Sequence, residues 1–221
     1  MNIAVFGARG RVGSKVVEIA KGRGHTVVAI DLKDNLGDND TSQNCQKCQN
    51  LKTVTTIDAV IDFSTAAATQ EVCQYCQLHH CALISGVTGR SKTQQQLIDD
   101  LSAELPVVYK SNFSVGVDIL HKVCEIVASA LSDWDCEIVE IHRRGKLDSP
   151  SGTAKSLAST IAKQHSFKRV TTHALRCGSN FGRHEVIFAT NGESLTITHQ
   201  AENVDIFALG AVLEAEKLRR L

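Results

Sequence analysis

Asn2-Ile3-Ala4-Val5-Phe6-Gly7-Ala8-Arg9-Gly10-Arg11-Val12-Gly13 is a short apolar run that stops at a Gly-x-x-Gly-x-x-Gly turn. Apolar residues then recur at helical spacing, at Val12, Val16, Ile19 and Ala20, until Gly24 ends the pattern. Thr26-Val27-Val28-Ala29-Ile30 reads as a second strand, closing on Asp31. The order strand, glycine turn, helix, strand is a βαβ unit. Its glycines let the backbone approach a pyrophosphate, which then sits on the helix N-terminus. Asp31, eighteen residues beyond Gly13, suits the hydroxyls of an adenosine ribose. A glycine turn alone is a weak sign of a nucleotide; its place between strand and helix, with an acid ending the next strand, strengthens it. Gly7, Ala8, Arg9, Gly10, Arg11, Val12 and Asp31 are therefore candidate cofactor-binding residues. Asp31 favours NADH, because a carboxylate repels the 2′-phosphate of NADPH, while Lys33 leaves NADPH open.

The alternation of short apolar strands and helices continues. Strands are expected over 59–63, 82–85 and 107–110, and helices over 66–80, with Ser64 and Thr65 as caps, and 91–104, opened by Ser91. Such a chain builds a doubly wound parallel sheet, here of five strands, with ligands at the carboxyl ends. That places Phe63-Ser64-Thr65, Gly86-Val87-Thr88 and Ser111-Asn112-Phe113-Ser114 on the cofactor rim. Residues 32–56 are polar and uneven and read as a long loop with at most a short helix. Beyond Gly116 the pattern changes: a helix over 117–131, a strand over 136–141, a helix from Pro150 to about 165, then strands over 173–177, 185–190 and 193–199. Thr190-Asn191-Gly192-Glu193 is a hairpin signal. The fold class is α/β: an N-terminal Rossmann-like parallel sheet, then a C-terminal α+β domain with a mixed, largely antiparallel sheet. The expected domains are 1–112 and 113–202, with a last helix over 203–221 returning to the first.

The richest stretch chemically is Glu140-Ile141-His142-Arg143-Arg144-Gly145-Lys146-Leu147-Asp148-Ser149-Pro150-Ser151-Gly152-Thr153-Ala154. It reads as strand end, basic loop and helix N-terminus. Amide N–H groups at Gly152 and Thr153 and the Lys146 ammonium make a corner for an anion, a carboxylate or a phosphate. His142, at the strand end, is a candidate to move a proton.

This string resembles the signature of the dihydrodipicolinate reductase family, roughly Glu-x-His-His-x-x-Lys-x-Asp-x-Pro-Ser-Gly-Thr-Ala. The match holds at Glu140, His142, Lys146, Asp148, Pro150, Ser151, Gly152, Thr153 and Ala154; Arg143 stands in place of the second His. Also similar are the Gly-x-x-Gly-Arg-x-Gly turn, Ser85-Gly86-Val87-Thr88-Gly89, Asn112-Phe113-Ser114-Val115-Gly116-Val117, Arg176-x-Gly178 and Gly182-x-His184-x-Val186-x-Phe188. Val204 stands where the family commonly carries Arg. The resemblance implies NAD(P)H-dependent reduction of a cyclic imine dicarboxylate, 4-hydroxy-tetrahydrodipicolinate, in lysine and diaminopimelate biosynthesis. It implies that His142 and Lys146 supply the proton, that Arg143, Gly152 and Thr153 hold substrate, and that Gly86, Val87, Thr88, Ser111, Asn112, Phe113 and Ser114 serve the cofactor. It also implies a homotetramer. A catalytically silent NAD(H)-binding regulatory module of the same fold is the alternative, motivated by Arg143 and Val204.

Composition sets outer bounds. Lys+Arg and Asp+Glu balance at 24 each in 221 residues, so bulk charge makes no case for nucleic acid or an anionic membrane. No apolar run reaches the length of a membrane span. The first strand starts at residue 2, so no cleaved leader and a cytoplasmic location are expected. Of eight cysteines, Cys45 and Cys48, and Cys73 and Cys76, have zinc-like spacing, yet nothing else calls for a metal and none is expected. Cys124, Cys136 and Cys177 are expected to be small buried hydrophobes.

Overall fold

A computed structural model describes residues 1–31, 45–47, 56–131, 133–164 and 170–218, with 45–47 described as backbone only. The elements are β1 (Asn2–Phe6), α1 (Gly13–Gly22), β2 (Thr26–Ile30), β3 (Cys45–Lys47), β4 (Ala59–Asp62), α2 (Thr69–His79), β5 (Ala82–Ser85), α3 (Lys92–Glu104), β6 (Val107–Tyr109), α4 (Val115–Ala130), β7 (Asp135–His142), α5 (Gly152–Ala162), β8 (Val170–Arg176), β9 (Arg183–Thr190), β10 (Glu193–Gln200) and α6 (Asp205–Leu218). They form two compact units, Met1–Phe113 with Phe207–Leu221, and Ser114–Ile206.

In the first unit β3-β2-β1-β4-β5-β6 form one sheet, every pair parallel. Strand alternation explains why its strands read as continuous apolar runs: both faces are covered. Ile3 and Val5 of β1 face Val16 and Ala20 of α1 and Ala208, Ala211, Val212 and Ala215 of α6. Ala4 and Phe6 face the other way, toward Val72 and Cys76 of α2 and Ile98 and Leu101 of α3. Small residues let α6 lie close, and a Cβ on Gly210 would fall 1.7 Å from the Phe113 carbonyl oxygen.

Three local expectations need correction. Residues 45–47 are a strand inside the stretch read as a loop, so the sheet has six strands rather than five. An edge strand is held by backbone hydrogen bonds along one side only, which polar residues satisfy as well as apolar ones. Second, Ser64 and Thr65 do not cap a helix. Ala66–Ala68 is a turn of 3-10 helix without a side-chain cap, and the Ser64 amide and hydroxyl both donate to Asp62 instead. Third, Cys177 is exposed, because the chain leaves the sheet after β8 through Gly178 at φ +56°. Cys124 and Cys136 are buried, as expected, and burial pushes their thiols up to about 11 and about 12. Ser91 caps α3 in a reciprocal box with Gln94.

The second unit has the order β10-β9-β7-β8, with β7 and β8 parallel and the other pairs antiparallel. Asn191 and Gly192, at φ +98°, turn β9 into β10. Along β7 the even residues Cys136, Ile138, Glu140 and His142 are buried. The first two meet Leu120 and Cys124 of α4 and Leu157 and Ile161 of α5. The same period of two carries Glu140 and His142 onto the covered face at the end of the strand.

In the first unit Glu216 of α6 accepts from Arg23 at 2.8 and 2.7 Å and lies 2.8 Å from His25 Nε2. The Arg23 hydrogen bonds, with His25 adding, hold its carboxyl down to about 2. A carboxyl depressed in the fold contributes stability above its ordinary value near 4.5 and loses it as pH falls toward 2. Glu216→Gln is therefore expected to cost about 1 kcal/mol at pH 7 and progressively less below pH 4.5, read by denaturant titration at a series of pH values; a loss independent of pH would contradict this.

Candidate active site

The glycine turn is packed too closely for side chains at two of its positions. Gly7 adopts φ +73°, and a Cβ there would lie 2.6 Å from the Phe63 carbonyl oxygen. A Cβ on Gly13 would lie 2.0 Å from the Gly7 oxygen, so only glycine lets α1 start this close to β1. Ala8 N–H donates to Ile30 at 3.2 Å and Gly10 N–H to Gly7 at 2.8 Å, which fixes the loop. Arg9, Gly10 and Arg11 are exposed, and Val12 precedes α1 without any side-chain cap. An uncapped helix start beneath an exposed, basic loop fits a pyrophosphate. Asp31 lies beside this loop and accepts from the Arg9 amide at 3.1 Å.

Of the other rim residues, Gly86 leaves no room for a side chain, since a Cβ would meet the Phe63 ring at 2.3 Å. Val87 and Phe113 are buried, Thr88 and Ser111 exposed, and Asn112 half-buried. Phe113 packs edge-on to Phe63 with centroids 5.8 Å apart. Ser114 opens the second unit, where its hydroxyl caps α4 by accepting from Val117 N–H at 3.3 Å and lies 3.2 Å from His199 Nε2.

In the second unit the signature residues converge on one carboxylate. Glu140 is wholly buried. It accepts from Arg176 at 2.7 and 3.0 Å and from the Ser151 amide at 3.0 Å, and it is bonded to His142 Nδ1. Burial alone would raise its carboxyl; the bonds from Arg176, His142 and Ser151 outweigh that and hold it below the usual range. Burial pushes the His142 imidazole below its usual value, against the pull of Glu140 and with the charges of Lys146 and Arg176 adding. His184 stands edge-on to His142, centroids 5.2 Å apart, and burial with the neighbouring imidazoles drives it down to about 3.

The basic loop then turns back over the strand end. Arg143 N–H donates to Asn180 at 2.8 Å, Arg144 N–H to Gly178 at 3.2 Å, and Lys146 N–H to Arg143 at 3.1 Å. Lys146 Nζ lies 2.7 Å from the Asp148 carboxylate. Burial would raise that carboxyl, but Lys146 and the Gly152 amide are among the donors that hold it down. The ammonium and the helix amide thus meet on a carboxylate in the expected corner, one supplied by the chain itself. Thr153 is buried in the first turn of α5 beside the capping Ser151.

The model of the dihydrodipicolinate reductase N-terminus matches residues 1–113, and that of its C-terminus matches residues 116–221. The chain belongs to the dihydrodipicolinate reductase family. It is 32% identical over 216 residues to the 4-hydroxy-tetrahydrodipicolinate reductase of Thermosipho africanus, covering 98% of this chain and 90% of that one. To the enzyme of the same name from Stenotrophomonas maltophilia strain K279a it is 41% identical over 162 residues, 73% of this chain and 67% of that one. The fold matches that of dipicolinate-bound dihydrodipicolinate reductase from Paenisporosarcina sp. TG-14, with a TM-score of 0.83 at 23% identity over 100% of this chain and 95% of that one.

The reductase fold adds residues that the sequence patterns left without a role. Arg176 and His184 echo the family, but only the structure puts them around Glu140 and His142. Arg90 carries no motif in the sequence. Its side chain is 1% exposed and donates to Ser85 at 2.6 Å, to the Val87 carbonyl at 2.9 Å, to Thr69 at 3.0 Å and to buried Asp62 at 3.4 Å, with Tyr109 stacked 4.9 Å away. This bracket ties the ends of β4 and β5 to the Gly86-Val87-Thr88 segment. Among the described residues no group of three or more His, Cys, Asp or Glu side chains could hold a metal ion. Cys73 and Cys76 are buried on α2, whereas Cys48 and the Cys45 side chain, with Lys33, lie outside what is described.

Removing the Arg90 guanidinium takes the cation away from buried Asp62 and leaves it the Ser64 and Ser85 donors. Arg90→Met is expected to lower stability by about 3 kcal/mol in urea denaturation, and a loss under about 1 kcal/mol would show that the bracket is not structural.

Proposed function

We propose that this protein reduces 4-hydroxy-tetrahydrodipicolinate to tetrahydrodipicolinate at the expense of NAD(P)H, in lysine and diaminopimelate biosynthesis. The observation that carries the reading is the convergence of Glu140, His142, Lys146 and the start of α5 within a chain of this family. The nicotinamide supplies a hydride when bound. Gly7, Ala8, Arg9, Gly10, Arg11 and Val12 hold its pyrophosphate, Asp31 the adenosine ribose, and Gly86, Val87, Thr88, Ser111, Asn112, Phe113 and Ser114 line the rest of its path. Asp31 makes NADH the favoured coenzyme, with NADPH accepted less readily.

Substrate and product differ by one hydroxyl replaced by hydrogen, so a hydride and a proton enter and water leaves. His142 and Lys146 are the residues that handle this proton. The substrate is a small cyclic imine dicarboxylate, and Lys146, Gly152 and Thr153 bind one of its carboxylates. Asp148, which sits on the same ammonium and amide, supports a carboxylate-binding role for this corner. Arg143 contributes a permanent cation where relatives of the signature carry His, which suits binding better than proton transfer. The first unit serves as the dinucleotide-binding domain, and the second binds substrate and joins protomers into a homotetramer. No helix among the described residues is long and apolar enough to cross a membrane, and a cytoplasmic enzyme with no nucleic-acid or membrane partner is the accompanying proposal.

The test is NADH oxidation with substrate generated in place by the preceding synthase, and NADPH in parallel. Lys146→Ala is expected to lower turnover by roughly 10²–10⁴-fold while NADH affinity stays unchanged. Undiminished turnover in that variant would remove Lys146 from the chemistry.

A further inference from the structure

We infer that Glu140 and Arg176 are positioning residues that hold His142 in the tautomer with its hydrogen on Nδ1 and its lone pair at Nε2. This rests on the reductase reading above and names what orients one of its two proton-handling residues. The argument starts from the groups around the carboxylate. Three of the four contacts on Glu140 come from groups that can only donate, the Ser151 amide and Arg176 Nη2 on Oε1 and Arg176 Nη1 on Oε2; His142 Nδ1 is the fourth, on Oε2. Such a carboxylate is ionised and carries no proton to give. The hydrogen in the Glu140–His142 bond therefore belongs to Nδ1. In the neutral imidazole that leaves Nε2 with a lone pair and nothing to donate.

The surroundings keep the ring neutral. Burial acts first; from β8 comes the Arg176 cation, from the basic loop the Lys146 cation, itself paired with Asp148, and from β9 the edge of His184, uncharged near pH 7, while Glu140 pulls the other way. Gly182 keeps the lone pair open. A Cβ at that position would sit 3.0 Å from His142 Nε2, and Gly182 has φ +140°, a conformation that side-chain-bearing residues rarely adopt. Its place is fixed by its own amide, which donates to Asn180 at 2.9 Å, and by its carbonyl, which accepts from Ala201 at 2.8 Å.

Arg176 acts on both halves of the pair. Besides clamping Glu140 it donates to the Asp148 carbonyl at 2.6 Å, two residues from Lys146. One guanidinium thus sets the tautomer of the imidazole and anchors the loop that carries the ammonium. In the reaction the Lys146 N–H bond breaks, its electron pair stays on nitrogen, and the proton leaves with the substrate hydroxyl as water while the hydride takes the vacated carbon. Lys146 regains its proton from solvent. His142 Nε2 accepts a hydrogen bond from a substrate N–H or O–H and holds that group in place.

Glu140→Gln separates this from a merely structural role. Both groups on Oε1 can only donate, whereas His142 on Oε2 can change tautomer, so the new side chain turns its carbonyl to Ser151 and Arg176 Nη2 and its NH₂ toward His142 Nδ1, giving up the Arg176 Nη1 bond. The NH₂ can only donate, which forces the imidazole proton over to Nε2. The experiment is nitrogen NMR of the enzyme labelled in histidine, with His142 assigned by loss of its signals in His142→Gln, and steady-state kinetics alongside. The wild type is expected to show protonated Nδ1 and bare Nε2 at neutral pH. Glu140→Gln is expected to reverse the two and lower kcat about ten- to a hundred-fold, with NADH affinity unchanged. A wild-type spectrum with the proton on Nε2 overturns the inference whether or not any variant folds. So does a reversed tautomer with full turnover. Failure of the wild type to oxidise NADH with substrate would instead overturn the reductase reading, while its spectrum still decides the tautomer.

Discussion

A carboxylate cut off from water organises the second unit. Leaving Glu140 ionised and buried without partners would cost several kcal/mol. The chain offsets that with four hydrogen-bonding contacts from three places: the end of β7, the end of β8 through two nitrogens, and the start of α5. Those same elements carry the residues of the proposed chemistry. Fixing the charge and building the site are one event, and any change that releases Glu140 loosens the strand end, the basic loop and the helix start together.

The first unit repeats the device with different chemistry. Asp62, at the end of β4, is fully buried and accepts from Ser64, Ser85 and Arg90. Here too an acid and an arginine tie strand ends to the segments that would line a ligand. The rest of that unit is a sheet covered on both faces, whose strict alternation divides β1 between two helix layers. A rigid sheet with pinned rim loops is what a cofactor needs if its reactive carbon is to be held still.

What could be read from sequence was local. The strand alternation, the glycine turn, the helix opened by Ser91 and the Pro-Ser-Gly-Thr helix start each depend on residues a few positions apart, and the structure has them. Glu140 with Arg176 and Asp62 with Arg90 are 36 and 28 residues apart, and no spacing rule joins them. The strand at 45–47 was hidden because backbone bonding, not apolar patterning, makes an edge. Ser64 looked like a cap because its hydroxyl can cap; the nearby Asp62 charge is the stronger acceptor and takes it. Cys177 misled for a similar reason, since an apolar neighbourhood in sequence does not show where a strand lets go of its sheet.

The most direct measurement is a crystal structure with dipicolinate, a flat dicarboxylate that resembles the proposed substrate. One carboxylate is predicted to take the place of Asp148 on Lys146 Nζ and the Gly152 amide, with the ring beside His142 and Glu140 still clamped by Arg176. A dicarboxylate bound away from residues 142–153, or bound there with the Glu140–Arg176 pair broken, would contradict the account.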